Sequence, residues 1–325
     1  MKKKNLLFRF DFKRKKNLSY GHLLRALKII SNLTKNHNIF YLIKTEINSK
    51  DKFFYLKKKN LIQRNKSLYF NDKLFKKKID FLIIDLPYKD KKINFLNEQI
   101  KKKIVIEDHF KNYNYADYYF TNLKLKKKQI KKISLKKDTI FHGNEYFIND
   151  QKKTKFKPKK NIKNIFVNFG GSDPLNLTRK FISKIKDNNL QNYIFHVVLG
   201  PGARKISNNK TQTNCKIYHN LSTKKFNALR IKSDIAIVTG GNVLIENVFL
   251  GLPSLAFSSS SYESKIIKQL GKIRAVNEFR GKDFTNMYQK IISFNFQKRI
   301  ETYIASKNLI KINKFHSKLK IILDH

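Results

Sequence analysis

Residues 234–257 read DIAIVTGGNVLIENVFLGLPSLAF, and their order decides the fold. Ile235 to Val238 is a short apolar run, the pattern of a strand buried on both faces. Gly240-Gly241 makes a turn, Val243 to Leu250 reads as a helix, and Gly251-Leu252-Pro253 ends it. Ser254 to Phe257 is the next strand. Strand, helix and strand in this order make a parallel crossover. Two glycines and a helix N-terminus therefore meet at the carboxyl end of a strand. Such a terminus holds unpaired N–H groups and a partial positive charge, which suit phosphate oxygens. Gly240 and Gly241 let a ligand approach the backbone closely. Glu246 falls one turn further in, where a carboxylate can take two hydroxyls of a ribose.

The same alternation runs along most of the 325 residues. Upstream, strands are expected at Leu6 to Phe12, Ile39 to Lys44, Phe81 to Asp85, Ile104 to Glu107, Tyr118 to Thr121 and Thr139 to His142. A helix from Gly21 to about Asn36 joins the first two, with Leu23, Leu24, Leu27, Ile30 and Leu33 on one side. Gln151 to Lys163 is polar and basic, contains one of only five prolines, and reads as a linker. The pattern then restarts. Strands are expected at Ile165 to Phe169, Tyr193 to Leu199, Lys216 to His219, Ile235 to Val238, Ser254 to Phe257 and Ile273 to Val276. Helices fit Leu177 to Asp187, Thr223 to Ile231, Val243 to Leu250 and Tyr262 to Gly271, and the tail from about Gln289 is helical in character. The expected fold is α/β: two Rossmann-like domains, residues 1–157 and 158–325, with parallel sheets facing across a cleft.

Composition narrows the function. Forty-one per cent of residues are hydrophobic, including 27 Phe and 15 Tyr, so sizeable cores can form. The net charge of +48 invites a polyanion-binding reading. The lysines come as short runs spread along the chain, such as Lys2 to Lys4, Lys57 to Lys59 and Lys101 to Lys103, and no single face or tail collects them. Lys, Asn, Ile and Phe share AT-rich codons, so genome base bias accounts for much of the excess. No specific nucleic-acid partner is expected, because no ribonucleoprotein aromatic box or zinc module is present. Peripheral contact with an anionic membrane stays open. Cys215 is alone, which removes any disulfide framework or thiolate metal site and fits a reducing compartment. The basic N-terminus has its apolar run broken by Arg9 and Asp11, and no transmembrane stretch is expected, so the expected location is the cytoplasm.

Six of the eleven glycines stand after three second-half strands: Gly170-Gly171, Gly200 with Gly202, and Gly240-Gly241. A glycine after a strand is commonly just a turn; three such clusters on one sheet edge favour ligand approach. In the first half, Gly21-His22 opens a helix behind Ser19 as cap. A histidine in a first helical turn is disfavoured as imidazolium and is suited to accept a proton. The bland alternative is a capping or surface histidine. Arg25 lies one turn on, available to a carboxylate or a substrate. Asp11, Asp85 and Asp108 stand at three strand ends near His22, where each taken singly is as readily a cap or a turn residue. The eight histidines show no metal-ligand spacing, and no Walker A or Gly-x-Ser-x-Gly motif occurs.

These motifs together resemble the PseG-like group of nucleotide-sugar hydrolases and, more distantly, the MurG-type glycosyltransferases of the GT-B fold. Arg9-x-Asp11 followed by Gly21-His22-Leu23-Leu24-Arg25 is similar to the group's opening segment. Asp85 stands where the group has a strand-end acid, and Gly170-Gly171-Ser172-Asp173 is similar to its Gly-Gly-Ser-Asp loop. Ala236 to Ser254 is similar to its nucleotide-binding segment. The resemblance implies a GT-B-like enzyme whose C-terminal domain binds UDP: Gly240, Gly241 and Asn242 at the diphosphate, Glu246 at the ribose, and Gly171 and Ser172 at phosphate or sugar. It implies His22 as the base that activates water at the anomeric carbon, with Asp11 and Asp85 orienting His22, Arg25 or sugar hydroxyls. The implied reaction releases UDP and a 2,4-diacetamido-2,4,6-trideoxyhexose on the route to pseudaminic acid, with no metal or organic cofactor. Two departures touch the sugar side. The tyrosine that often follows the acid is displaced to Tyr88, and an Asn-Gln pair is replaced by Ser261 and Tyr262.

The leading expectation is therefore a UDP-sugar hydrolase of surface-polysaccharide synthesis. The rivals are a glycosyltransferase with the same fold, a non-catalytic nucleotide-sugar-binding relative, and a basic nucleic-acid-binding protein.

Overall fold

Period-two alternation of large apolar side chains builds the first sheet. Along β1 (Asn5–Phe10), Leu6, Phe8 and Phe10 pack on one face and Leu7 on the other. The computed structural model describes residues 3–11, 21–43, 61–63, 78–89, 100–106, 110–133, 135–149, 156–185, 188–204, 206, 214–219, 221–279, 284 and 286–325. Ser19, Asp108 and residues 151–155 of the expected linker lie outside these. The described residues fall into two compact units, one ending at residue 149 but regaining residues 314–325, the other running to residue 313.

The first unit continues with α1 (Gly21–Leu33), β2 (Asn38–Ile43), β3 (Leu61–Gln63), β4 (Ile79–Asp85), β5 (Ile100–Ile106), β6 (Tyr118–Thr121), α2 (Lys127–Lys132) and β7 (Ile140–His142). Its seven strands are ordered β3-β2-β1-β4-β5-β6-β7, and every pair is parallel. The order reverses direction between β1 and β4, where Phe10 is in register with Asp85. Helix α1 covers the Phe8 face, burying Leu23, Ala26, Ile29, Ile30 and Leu33 in the same cluster.

The second unit repeats the plan with β8 (Asn164–Asn168), α3 (Leu177–Lys184), β9 (Ile194–Leu199), β10 (Cys215–His219), α4 (Thr223–Lys232), β11 (Ile235–Thr239), α5 (Asn242–Leu250), β12 (Ser254–Phe257), α6 (Ser261–Lys272) and β13 (Asn277–Glu278). Its six parallel strands are ordered β10-β9-β8-β11-β12-β13, with the reversal between β8 and β11. Asp173 caps α3 by accepting from Leu177 N (2.7 Å) and Thr178 N (2.9 Å). Helices α7 (Met287–Ser293), α8 (Phe296–Ile312) and α9 (Phe315–Asp324) complete the chain. The buried Arg299 of α8 donates to the carbonyls of Lys159 and Lys160 at 3.0 and 2.7 Å, fixing the entry into this unit.

Three readings from sequence are corrected. Ile273 to Val276 is not a strand. Arg274 takes φ +58°, and Ala275 N bonds Leu270 O to close the end of α6, so pairing begins only at Asn277. The three-residue β3 was not anticipated, being too short to show a period. The C-terminal helices do not all stay with the second domain. Helix α9 returns to the first unit, where Phe315, Leu319, Ile322 and Leu323 join the cluster around Phe8 and Phe120. Phe315 lies edge-on to Phe120 with ring centroids 5.2 Å apart. Phe315→Ala is expected to destabilise the first unit by about 3–5 kcal/mol, measured by urea unfolding. An unchanged midpoint would show that α9 adds little to that core.

Candidate functional site

In open parallel sheets, ligands sit beyond the carboxyl ends of the strands where the strand order reverses. Each unit carries several of its sequence-predicted residues there, while Ser261 and Tyr262 lie one strand further out, after β12. In the first, Asp85 closes β4 and is 3% exposed. Alternation from Phe81 and Ile83 puts it on the face covered by α1, and the first turns of α1 meet it. His22 Nδ1 lies 2.6 Å from Asp85 Oδ1. Arg25 grips the same carboxylate with two nitrogens, Nε donating to Oδ2 at 2.7 Å and Nη2 to Oδ1. The Arg25 Nη2 is 3.3 Å from His22 Nδ1. Gly21, also predicted, is the first residue of α1 and is half-buried.

Burial pushes the Asp85 carboxyl up, but the Arg25 and His22 charges and their hydrogen bonds outweigh it and hold it down at about 2. Whenever the imidazole is neutral, an ionised Asp85 favours the tautomer that donates from Nδ1 and leaves the lone pair on Nε2. A histidine held this way by a carboxylate that an arginine keeps ionised has the geometry to accept a proton.

Asp11 belongs to a second cluster. Arg9 follows Leu7 on the opposite face of β1, is 1% exposed, and pairs with Asp11 through Nη1 (2.8 Å) and Nη2 (2.9 Å). Tyr88 Oη donates to the same carboxylate and accepts from Arg9 Nη2 at 3.1 Å. Burial pushes the Tyr88 phenol up; the Arg9 charge opposes this, and the Asp11 charge and hydrogen bond reinforce it. The displaced tyrosine is thus engaged at the strand ends. It was not among the predicted site residues, and neither was Arg9, although the resemblance had drawn attention to the Arg9-x-Asp11 segment and to the displaced Tyr88.

In the second unit the turn after β8 holds Gly170, at φ +88°, then the half-buried Gly171 and Ser172. Gly202 N donates to Gly171 O at 2.8 Å, and a Cβ on Gly200 would collide with the Gly170-Gly171 backbone. Across the strand reversal, Gly240 follows β11 and Gly241 is the N-cap residue of α5. A Cβ on Gly240 would stand 2.8 to 3.0 Å from Glu263 of α6. Glu263 is a further residue that sequence reasoning missed. Its Oε2 accepts from Ser259 N (2.7 Å) and Ser259 Oγ (2.5 Å), which ties the serine loop before α6 to the glycine turn. Burial pushes its carboxyl up, and the hydrogen bonds from Ser259 and Thr239 oppose this. Ser261 and Tyr262 occupy the first turn of α6, behind Ser260 as its cap.

Asn242 opens α5. Glu246 lies one turn further in and pairs with Arg230 of α4, Nη1 to Oε2 at 2.9 Å. Gly241, Asn242, Val243 and Glu246 form the half-buried edge of α5, while Leu244, Ile245 and Asn247 to Leu250 are buried. Among the described residues, no group of three or more His, Cys, Asp or Glu side chains could hold a metal, and no helix is long and apolar enough to cross a membrane.

No family model matches the chain. A stretch of 131 residues is 30% identical to an uncharacterised protein of Methanocaldococcus jannaschii, covering 36% of this chain and 26% of that protein, so the match spans about a quarter of the relative's length. Solved structures match almost the whole chain at low identity. MurG of Acinetobacter baumannii aligns with TM-score 0.59 and 11% identity over 96% of this chain and 99% of its own. A UDP-N-acetylglucosamine 2-epimerase aligns with TM-score 0.60 and 14% identity over 98% and 97%. UGT2 of Phytolacca americana, solved with UDP-2-fluoro-glucose and pterostilbene, aligns with TM-score 0.66 and 9% identity over 98% and 99%. At these identities the likeness shows the fold: two parallel-sheet Rossmann-like domains of the GT-B type.

The depressed acidity of Asp85 has a sign that can be checked. Its pairing stabilises the folded chain fully above the unfolded-state value of about 4, and that gain is lost as pH falls toward about 2. Asp85→Asn is expected to be less stable than the native chain by on the order of 2 kcal/mol at neutral pH. Urea unfolding across the acid range should show this gap closing between about pH 4 and pH 2. A gap that stays constant would mean that the ion pairs are not its source.

Proposed function

We propose that this chain is an enzyme that acts on a UDP-sugar at its anomeric carbon. The observation that carries the reading is the His22–Asp85 contact of 2.6 Å at the strand reversal of the first sheet. A carboxylate on Nδ1 leaves Nε2 to take a proton from an attacking hydroxyl, and the ionised Asp85 stabilises the imidazolium that forms. In the second unit, the α5 N-terminus behind Gly240-Gly241 suits the diphosphate, with Asn242 beside it and Glu246 for the ribose hydroxyls. Gly171 and Ser172 stand at the neighbouring strand end for phosphate or sugar. Helix-end stabilisation of the departing UDP lowers the barrier to cleavage.

Water as nucleophile gives the hydrolase: UDP and a free sugar, a 2,4-diacetamido-2,4,6-trideoxyhexose by resemblance of the motifs. A sugar or lipid-linked hydroxyl as nucleophile gives a glycosyltransferase from the same residues. The second reading is favoured by the solved structures that share the fold, since those named for kitacinnamycin and calicheamicin are glycosyltransferases. The S. aureus MnaA structure with UDP and the UGT2 structure with a UDP-sugar analogue support the shared nucleotide.

UDP release from donor alone is expected of the hydrolase, and release that requires an acceptor is expected of the transferase. In either case His22→Asn should lower kcat by about 10²–10⁴ while UDP affinity, read by calorimetry, stays nearly unchanged. Glu246→Ala should instead weaken UDP binding by about 10- to 100-fold. Full turnover in the histidine variant would remove the base assignment. Undiminished UDP affinity in the glutamate variant would remove the ribose assignment.

A further inference from the structure

A guanidinium inside α/β packing needs a reason. Arg230, in the last turn of α4, is 1% exposed, at a place where an apolar side chain of similar length would fill the same space. Arginine stays charged at any accessible pH, and removing it from water costs several kcal/mol. A buried ion pair seldom returns more stability than a well-packed apolar replacement, so Arg230 is weakly explained by stability.

Its surroundings fix the guanidinium from several directions. Nη2 donates to Asn227 Oδ1 at 2.5 Å, one turn back on α4. Nη1 donates to Asn247 Oδ1 at 3.3 Å on α5. The guanidinium carbon lies 5.0 Å from the ring centroid of Phe226, and that ring stands edge-on, at 90°, to Phe166 of β8. Asn247 is itself fully buried, with its amide donating to Ser254 Oγ at the start of β12. The Arg230 fork is therefore held by α4, α5 and, through Phe226, the sheet. Glu246 meets this fixed group, Oε2 at 2.9 Å from Nη1, with its own side chain 14% exposed.

We infer that Arg230 is a positioning residue whose buried fork sets the rotamer of Glu246, so that the carboxylate is already aimed when a ribose arrives. The inference rests on the reading of Glu246 as the ribose-binding acid. A carboxylate offers about four acceptor positions, enough to accept from a buried guanidinium and from ribose hydroxyls together. Pre-orientation removes the cost of freezing the Glu246 side chain on binding, and the gain is specific to ligands that carry the hydroxyls.

The test compares UDP with 2′-deoxy-UDP by calorimetry on the full chain, in the native form and in R230M and R230K. The native protein is expected to prefer UDP by about tenfold or more, the worth of one hydrogen bond to a charged group. R230M retains length and apolar volume, and its preference should fall to within about threefold of unity. R230K keeps a charge without the planar fork and should give an intermediate ratio. A purely structural role would weaken both ligands alike and leave the ratio at its native value, which would overturn the inference. Should R230M fail to fold, R230K carries the test: a lowered ratio supports the inference and a native ratio overturns it. A native protein that binds both ligands equally would instead remove the Glu246 assignment, and one that binds neither would remove the nucleotide reading itself.

Discussion

The geometry of the candidate residues in each unit depends on one constraint of parallel sheets. A strand order that runs outward in both directions from a central pair must send successive crossovers to opposite sides, and the backbone parts between that pair. In the first unit the pair is β1 and β4, and the residues placed there are Asp11 and Asp85. In the second unit it is β8 and β11, and the residues are Gly170-Gly171 and Gly240-Gly241. Both sheets place polar or flexible residues at the reversal, while the buried positions of their strands are mostly Leu, Ile, Val and Phe.

Acids are scarce in this chain, 23 against 71 Lys and Arg, and the buried ones have specific tasks. Asp85 holds His22 and Arg25, Asp11 holds Arg9 and Tyr88, and Asp173 caps α3. Asp234 accepts from Lys163 N and Asn164 N, where β8 begins beside β11. Glu263 braces the glycine turn through Ser259. Arg9 and Arg230 are buried and Arg25 is nearly so, so these charges are neutralised locally rather than by solvent. The lysine excess is a different matter. Lys101, Lys159 and Lys314 pair with acids through largely exposed ammonium groups, and pairs of that kind contribute little.

Two features of the first sheet show how a pleat separates functions that look joined in sequence. Arg9, Asp11 and Asp85 read as neighbours at one sheet edge. Alternation sends Arg9 to the face of Leu7 and Asp85 to the face of Phe8, so two polar clusters form with different partners. One joins His22 and Arg25 to Asp85. The other locks a tyrosine and an arginine around Asp11 at the carboxyl end of β1.

Periodicity, glycine placement and the short apolar runs determined the α/β class, the two-sheet plan and most element positions, because those signals arise from local backbone preference and from burial on both faces of a strand. The same local signals marked His22, Asp85 and the Gly240-Gly241 turn, which stand at element boundaries, and Glu246, one turn into α5. Pairings between distant segments were decided by tertiary structure. Nothing near position 230 announces a partner sixteen residues on; Arg230 meets Glu246 only because α4 and α5 pack together. Tyr88 reaches Asp11 across 77 positions, and Glu263 reaches Gly240 because α6 begins beside the end of β11. The return of α9 to the first unit is of the same kind. An amphipathic helix records that it has an apolar side, but which of two apolar cores receives that side depends on where the chain has already been laid down.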